Sequence, residues 1–87
     1  TARDIQKREN HFTRAKGFDS FCPIGPWIEE GPVDTSNVNI RCRVNGQVRQ
    51  SANTRDMLTD VWELVAFVSS VMTLEPGDIV STGTPAG

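Results

Sequence analysis

The segment DVWELVAFVSSVM, residues 60–72, carries the clearest periodic pattern in the chain. Its apolar residues recur at the i, i+3, i+4, i+7 spacing that places side chains on one face of an α-helix. The residues on this face are Val61, Leu64, Val65, Val68 and Met72. Asp60 precedes them and Glu63 follows three positions later, which fits a capping box at a helix N-terminus. The segment therefore predicts an α-helix over residues 60–72.

Additional apolar residues widen the surface of this helix beyond one stripe: Trp62, Ala66 and Phe67. A helix that is apolar around so much of its circumference needs cover on more than one side. The chain has 87 residues, of which 37% are hydrophobic, so it is at most one domain and near the size at which a single core is marginal. We expect more cover for the helix than this short chain can readily supply.

A hairpin is predicted before the helix. Residues 38–44 alternate strictly between apolar and polar, as a half-buried strand does, and Asn45-Gly46 then indicates a turn. A two-residue loop would place Val48 on the side of Arg43, whereas a three-residue loop with a bulge would pair Cys42 with Val48 and keep the apolar face consistent. We favour the three-residue loop, with the glycine in the left-handed conformation.

The other segments are shorter or more irregular. Residues 1–9 are compatible with one or two helical turns, while residues 12–27 contain several Gly and Pro residues and favour an irregular, extended path. Glu75-Pro76-Gly77 predicts a turn, after which residues 78–82 predict a strand. The pattern as a whole indicates helices and antiparallel strands separated by turns.

Charge and hydropathy exclude two classes of partner. The net charge of −2 and the pI of about 5.2 give no broad attraction to nucleic acid, and Arg41, Arg43 and Arg49 are the only candidate basic cluster. The strongest apolar run, residues 61–68, contains a glutamate and is far shorter than the roughly 20 residues that cross a bilayer. We expect a soluble, cytoplasmic protein that binds neither nucleic acid nor membrane.

Residues with reactive side chains are few. His11 is the only histidine, which excludes a multi-histidine zinc site within this chain, and a loop or surface position suits it better than a general base. No GxSxG, HExxH, GxxxxGK[ST] or GxGxxG motif is present. Cys22 and Cys42 lack a CxxC spacing, so we expect them to be reduced, buried thiols.

Three polar segments have both a functional and an ordinary interpretation. Lys16, between aromatic residues, could face an anionic ligand, although a solvated lysine is more common. Arg3 with Gln6 could orient a substrate or could form an ordinary polar helix face. The small residues of GDIVSTGTP, residues 77–85, could let a carboxylate approach their backbone N–H groups and hydroxyls closely, or they could form a structural turn.

Six segments taken in chain order resemble the catalytic domain of the fumarylacetoacetate hydrolase family. They are TARDIQ at 1–6, KGFDSFCPIGPW at 16–27, VNG at 44–46 with RQ at 49–50, DML at 56–58, LEPGDI at 74–79 and TGTPAG at 82–87. The sequence of residues 21–27 is most similar to that of the bacterial branch of 2-hydroxyhepta-2,4-diene-1,7-dioate isomerases and related decarboxylases. The resemblance implies an α+β fold, a layered mixed β-sheet with a few short helices, of which residues 1–87 form a partial catalytic domain truncated at both ends.

The resemblance also implies a reaction class. Members of the family use Mg²⁺, Mn²⁺ or Ca²⁺ on small 2-oxo or 1,3-dicarbonyl acids, for isomerisation, decarboxylation or C–C hydrolysis, often in aromatic catabolism. A hard cation suits the negative charge that develops on oxygen in such reactions. The family's acidic metal ligands are expected upstream of Thr1, so the 87 residues alone are expected to be inactive, and the parent enzyme is expected to be a homodimer.

Individual site residues carry over from the same resemblance. Lys16 matches the catalytic lysine beside the metal, and Ser20 matches a loop position also near the metal. Gln6 matches a substrate-contacting glutamine, Gly83-Thr84 match the substrate carboxylate site, and Arg3 belongs to the same substrate-binding set. The alternative is a non-catalytic binding or structural module that retains the scaffold.

Overall fold

Six regular elements occur in the computed structural model, which describes all residues from Thr1 to Gly87. They are α1 (Arg3–Arg8), α2 (Thr13–Lys16), β1 (Asn39–Val44), β2 (Gln47–Asn53), a 3₁₀ turn (Thr54–Asp56) and α3 (Val61–Val71). The chain divides into two compact units, Thr1–Gly31 and Pro32–Gly87. The first unit holds the two short helices, and the second holds the hairpin and the long helix.

The first unit is organised around the contact between α1 and α2. The Ala2 amide donates to the Ala15 carbonyl oxygen at 2.8 Å, and Ala15 is the one residue of the chain with no exposed surface. An Asp4–Arg8 ion pair of 2.8 Å spans one turn of α1 in the favourable i, i+4 arrangement. The predicted helix at residues 1–9 is confirmed, and the irregular path predicted for residues 12–27 is interrupted only by the single turn of α2.

The hairpin turn differs from the favoured prediction. Val44 pairs with Gln47 and Arg43 pairs with Val48, so the loop has two residues, and both have positive φ (Asn45 at 50° and Gly46 at 79°). This is the type I′ geometry that suits an Asn-Gly turn and the twist of antiparallel strands. The predicted three-residue loop was wrong, because Val44 is paired with Gln47 and so belongs to the strand and not to the loop.

The extra residue that the apolar pattern demands lies in β2. Cys42 pairs with Gln50, whereas its neighbour in β1 pairs with Val48, so Arg49 is additional on β2. Such a bulge shifts the register by one residue and restores the pairing of the apolar face, where Ile40 lies opposite Ala52. The predicted bulged turn and its pairing of Cys42 with Val48 were therefore wrong, because Val48 pairs with Arg43 and the extra residue, Arg49, lies within β2.

Hydrogen bonds close the open end of the hairpin. The Thr54 amide donates to the Val38 carbonyl oxygen at 2.9 Å, and the Val38 amide donates to Thr54 Oγ1 at 2.8 Å. The Asn53 side chain donates to Asn37 Oδ1 at 2.9 Å and to Asn39 Oδ1 at 3.0 Å. The 3₁₀ turn that follows β2 is thereby fixed against the start of β1.

The predicted long helix is confirmed together with its cap. The Glu63 amide donates to Asp60 Oδ1 at 2.8 Å, and the Asp60 amide donates to Glu63 Oε2 at 3.4 Å, so the capping box is complete. The expected cover on more than one side is absent, because Trp62 and Phe67 are 69% and 68% exposed. The second unit is a single hairpin and a single helix and has no further layer to place over them.

The segment after α3 starts with the predicted turn. The Asp78 amide donates to the Glu75 carbonyl oxygen at 3.0 Å, and Gly77 has φ of +98°. The predicted strand at residues 78–82 does not form. A strand needs a neighbour with which to exchange backbone hydrogen bonds, and neither β1 nor β2 pairs with this segment.

Cys22 and Cys42 are both free thiols, as predicted, but both are exposed, so their predicted burial was wrong. The expectation rested on the general tendency of free cysteine to be buried, and with Ala15 as the only buried residue the chain offers almost no interior in which to place them. Among the helices, none combines the length and the apolar character that crossing a membrane requires.

Candidate functional site

Arg3 and Gln6, two of the predicted substrate-binding residues, are joined on α1. Arg3 Nη1 donates to Gln6 Oε1 at 2.7 Å, the i, i+3 spacing that brings side chains together on a helix. Gln6 is half-buried and Arg3 is exposed. Because the arginine occupies the amide oxygen, the Gln6 side chain is held with its NH₂ group available as a hydrogen-bond donor.

Lys16 is the last residue of α2, and its side chain is exposed. Its Nζ lies 5.6 Å from the centre of the Phe12 ring, within the range of a cation–π contact. The ammonium has no carboxylate partner, so its charge is uncommitted within the chain. The Ala2–Ala15 hydrogen bond tethers the residue before Arg3 to the residue before Lys16, so the segments that carry the two side chains are held together.

Ser20 lies in a turn immediately after α2. The Phe21 amide donates to the Phe18 carbonyl oxygen at 3.1 Å, and the two rings pack at a centroid distance of 5.3 Å. Ser20 has φ of 65°, a left-handed conformation that is uncommon for residues other than glycine. Strained backbone of this kind is concentrated at functional loops, and here it coincides with a predicted site position.

Gly83 and Thr84 line a groove of about 430 Å³ in the second unit. Its apolar wall is formed by residues from three elements, including Ile40, Ala52 and Leu64. Gly83 has φ of +98° with open space around its Cα, so glycine is needed there for its backbone conformation and not for lack of room. A largely apolar groove with a few fixed polar groups is the usual form of a small-molecule site.

Thr84 is held in place from β2. Gln50 Nε2 donates to Thr84 Oγ1 at 3.1 Å and to the Pro85 carbonyl oxygen at 2.9 Å. Gly87 lies so close to β2 that an added Cβ would collide with the Arg49 carbonyl oxygen. The Thr84–Gly87 segment is thus packed against the bulged part of the strand.

No role was predicted for Gln50 from the sequence, although the residue belongs to the RQ pair at residues 49–50. The signal that could have found it is the bulge, because the extra residue at Arg49 places Gln50 opposite Cys42. This register puts Gln50 on the face that carries Ile40 and Ala52, which line the groove. The three-residue loop favoured from the sequence would have placed Gln50 on this face as well; what the sequence did not give is the contact with Thr84, 34 positions further along the chain.

The chain does not itself supply a metal site. No three His, Cys, Asp or Glu side chains come together in an arrangement that could hold a metal ion. His11 is exposed, in line with the loop position expected for it.

Asp34, which is not one of the predicted site residues, has a lowered pKa. Asp34 Oδ1 accepts from Ser36 Oγ at 2.6 Å and from the Ser36 amide at 2.9 Å. The side-chain hydrogen bond, followed by the backbone one, lowers the pKa of Asp34 below its ordinary value. The carboxylate is fully exposed, so the pair organises a local turn.

Residues 1–87 match the family model described as fumarylacetoacetate (FAA) hydrolase C-terminal. The chain is 44% identical over its full length to "Oxaloacetate decarboxylase, mitochondrial" of Dictyostelium discoideum and covers 42% of that protein. It is 46% identical over its full length to "Oxaloacetate tautomerase FAHD2A, mitochondrial" of Bos taurus and covers 29% of that protein.

A solved structure has the same fold. The crystal structure described as 5-carboxymethyl-2-hydroxymuconate delta-isomerase from Mycobacterium smegmatis matches 98% of this chain with a TM-score of 0.91 and 52% sequence identity. The match covers 34% of that chain. The predicted α+β fold is confirmed by this likeness, and the chain spans well under half the length of the proteins it resembles.

Proposed function

This chain belongs to the fumarylacetoacetate hydrolase family, and from that membership we propose that the protein containing it is an enzyme acting on small 2-oxo or enol dicarboxylic acids. The proposed reactions are isomerisation, decarboxylation or C–C hydrolysis, with a place in aromatic catabolism. Two relatives with full coverage of the chain are named for oxaloacetate decarboxylation and tautomerisation, and a structure with 52% identity is named as a hydroxymuconate isomerase. All three names describe chemistry at a carbon beside a carbonyl or enol.

The observation that carries this proposal is the Gly83–Thr84 corner on an apolar groove, where Gln50 fixes the threonine hydroxyl. A carboxylate bound there would accept from the Thr84 hydroxyl, and hydrogen bonds to a charged group are stronger than neutral ones. The apolar wall would exclude water from the carbon skeleton of the acid. Thr84 and Gly83 are therefore proposed as the carboxylate-binding residues.

Further site residues are proposed within the first unit. Lys16 carries an ammonium without a carboxylate partner, which can stabilise negative charge that develops on a substrate oxygen. Gln6, with its amide oxygen held by Arg3, can donate from its NH₂ group to a substrate oxygen. Ser20 is proposed to line the same region, in the strained turn that follows Lys16.

A divalent cation, Mg²⁺ or alternatively Mn²⁺ or Ca²⁺, is part of the proposal. When bound, it would supply positive charge to paired substrate oxygens. Its ligands would come from other parts of the protein, with Lys16 and Ser20 nearby, because the 87 residues do not form a ligand set. A homodimeric enzyme located in the cytoplasm completes the proposal; sedimentation and imaging of the complete protein would test these two points.

The test is turnover by the complete protein containing this chain. Oxaloacetate tautomerisation is followed by ultraviolet absorbance of the enol, and decarboxylation by the pyruvate formed, each with Mg²⁺ and with EDTA. The proposal expects turnover that EDTA abolishes and Mg²⁺ restores. Turnover that is insensitive to EDTA would contradict the proposed role of the metal. The absence of turnover with oxaloacetate and with hydroxymuconate-type acids would favour a non-catalytic binding module.

A further inference from the structure

Gln50 makes two side-chain hydrogen bonds to the segment that carries Thr84. Its Nε2 lies 3.1 Å from Thr84 Oγ1 and 2.9 Å from the Pro85 carbonyl oxygen. Gln50 is half-buried; its bond to the Pro85 carbonyl is partly buried, whereas its bond to Thr84 is exposed. Gly87, in the same segment, also lies close to β2, next to the Arg49 carbonyl oxygen and the Gln50 side chain.

The direction of these bonds follows from the chemistry of Pro85. A backbone carbonyl oxygen can only accept a hydrogen bond, so the part of the Gln50 amide that faces it must be the NH₂ group. One N–H goes to the Pro85 carbonyl, and the other goes to Thr84 Oγ1. Thr84 is therefore the acceptor in its bond with Gln50.

This arrangement decides what the Thr84 hydroxyl can do. A hydroxyl has one hydrogen to donate, and that hydrogen cannot point at the Gln50 NH₂ group. The acceptor within the chain is the Pro85 carbonyl oxygen, to which Thr84 Oγ1 donates a long hydrogen bond of 3.4 Å and which also accepts a shorter bond from Gln50 at 2.9 Å. This bond is long and Thr84 is exposed, so a ligand acceptor at a shorter distance can take the hydroxyl hydrogen in place of the Pro85 carbonyl.

We infer that Gln50 is a positioning residue that keeps the Thr84 hydroxyl as a donor and so makes this corner selective for ligand groups that only accept, such as a carboxylate. The inference rests on the proposed function, since it concerns how the proposed carboxylate site is made specific. Gln50 acts through Thr84 and does not itself touch the substrate.

The decisive variant is Gln50→Glu in the complete protein. A carboxylate at this position accepts hydrogen bonds where the amide donated them. The Thr84 hydroxyl therefore donates to this carboxylate and is no longer available to the substrate. We expect KM for the oxo acid to rise about tenfold or more, because a hydrogen bond to a charged group is lost, with kcat changed less than about threefold. Thermal unfolding verifies that Gln50→Glu is folded. If Gln50→Glu does not fold, Gln50→Met is used in its place, with an expected rise in KM of about threefold.

Two controls separate this mechanism from a change in charge or in folding. Gln47→Glu makes the same chemical change at an exposed glutamine on the same strand, and because exposed charges are screened it should move KM less than about twofold. Gln50→Glu added to Thr84→Val should raise KM by less than about twofold beyond Thr84→Val alone, since residues that act through one contact are not additive.

The outcomes distinguish this inference from the proposed function. Wild-type protein without oxo-acid turnover overturns both. Wild-type turnover with an unchanged KM in folded Gln50→Glu, or in Gln50→Met where the glutamate variant does not fold, overturns the role of Gln50 and leaves the proposed function standing. A full effect of Gln50→Glu in the Thr84→Val background, or an equal effect of Gln47→Glu, also overturns it, whereas a rise in KM confined to Gln50 and dependent on Thr84 supports it.

Discussion

The two units hold their proposed site residues by different means. In Thr1–Gly31 the side chains of Arg3, Gln6 and Lys16 are fixed only by near neighbours in sequence, and the ammonium of Lys16 has no ionic partner. In Pro32–Gly87 the Thr84 hydroxyl is oriented by Gln50, a residue 34 positions away along the chain. In the first unit the Lys16 ammonium therefore has no partner to compete with a ligand, whereas in the second unit a distant residue already orients the Thr84 hydroxyl.

This contrast predicts a division of kinetic roles, and removal of the uncommitted charge should have the largest effect. We expect Lys16→Ala in the complete protein to lower kcat on the order of a hundredfold or more, because a charge aimed at a developing negative oxygen is lost. Its unfolding temperature should change little, since the side chain is exposed and makes no ion pair. Steady-state kinetics and thermal unfolding check the two parts.

Lys7→Ala is the matched control for that experiment, because Lys7 is an exposed lysine on α1 in the same unit. It should leave kcat unchanged. Equal kinetics for Lys16→Ala and wild type would remove Lys16 from the site and would leave the first unit without a catalytic role.

A smaller effect is expected at the hairpin turn, on stability alone. Asn45 has φ of 50°, so Asn45→Ala should lower the free energy of unfolding by about 1 kcal/mol, the cost of placing an ordinary residue in the left-handed region. Asn45→Gly should be neutral or stabilising, since glycine tolerates this conformation. Chemical denaturation of the complete protein measures both, and a neutral Asn45→Ala together with a destabilising Asn45→Gly would contradict the left-handed conformation of Asn45.

The smallest effect concerns Asp34 and pH. Hydrogen bonds from Ser36, first from the hydroxyl and then from the amide, lower the pKa of this carboxyl, so the ionised form stabilises the turn. That contribution is present above the pKa of the unfolded chain and is lost as pH falls through the lower pKa of the folded state. An NMR titration should show the pKa of Asp34 rising toward its ordinary value in Ser36→Ala; an unchanged pKa would contradict the assigned cause.

The local elements could be predicted from the sequence because their causes are local. The capping box at Asp60 and Glu63 and the apolar spacing after it fixed the start and the face of α3, and the Asn-Gly pair fixed the hairpin. The strand predicted at residues 78–82 and the thiol burial predicted for Cys22 and Cys42 depended instead on neighbours distant in sequence. No pattern within those segments reports whether such neighbours exist.

The site was predicted in the same uneven way. Lys16, Gln6 and Thr84 were named through a family resemblance that the family match over residues 1–87 confirms, while their roles stay predictions. Gln50 was missed because its importance depends on a contact with Thr84, 34 positions away along the chain, and no pattern within β2 reports that contact. Positioning residues depend on register, and register is set by the partner strand as well as by the strand itself.

Calorimetric titration of the complete protein with oxalate in the presence of Mg²⁺ tests the proposed binding of an oxo-acid carboxylate by the Thr84 hydroxyl. Wild type should bind, and Thr84→Val should bind about tenfold or more weakly, since a hydrogen bond to a charged group is lost. Thr73→Val, at an exposed threonine after α3, should bind like wild type. Equal affinity in Thr84→Val and wild type, or no heat from wild type, would contradict the account.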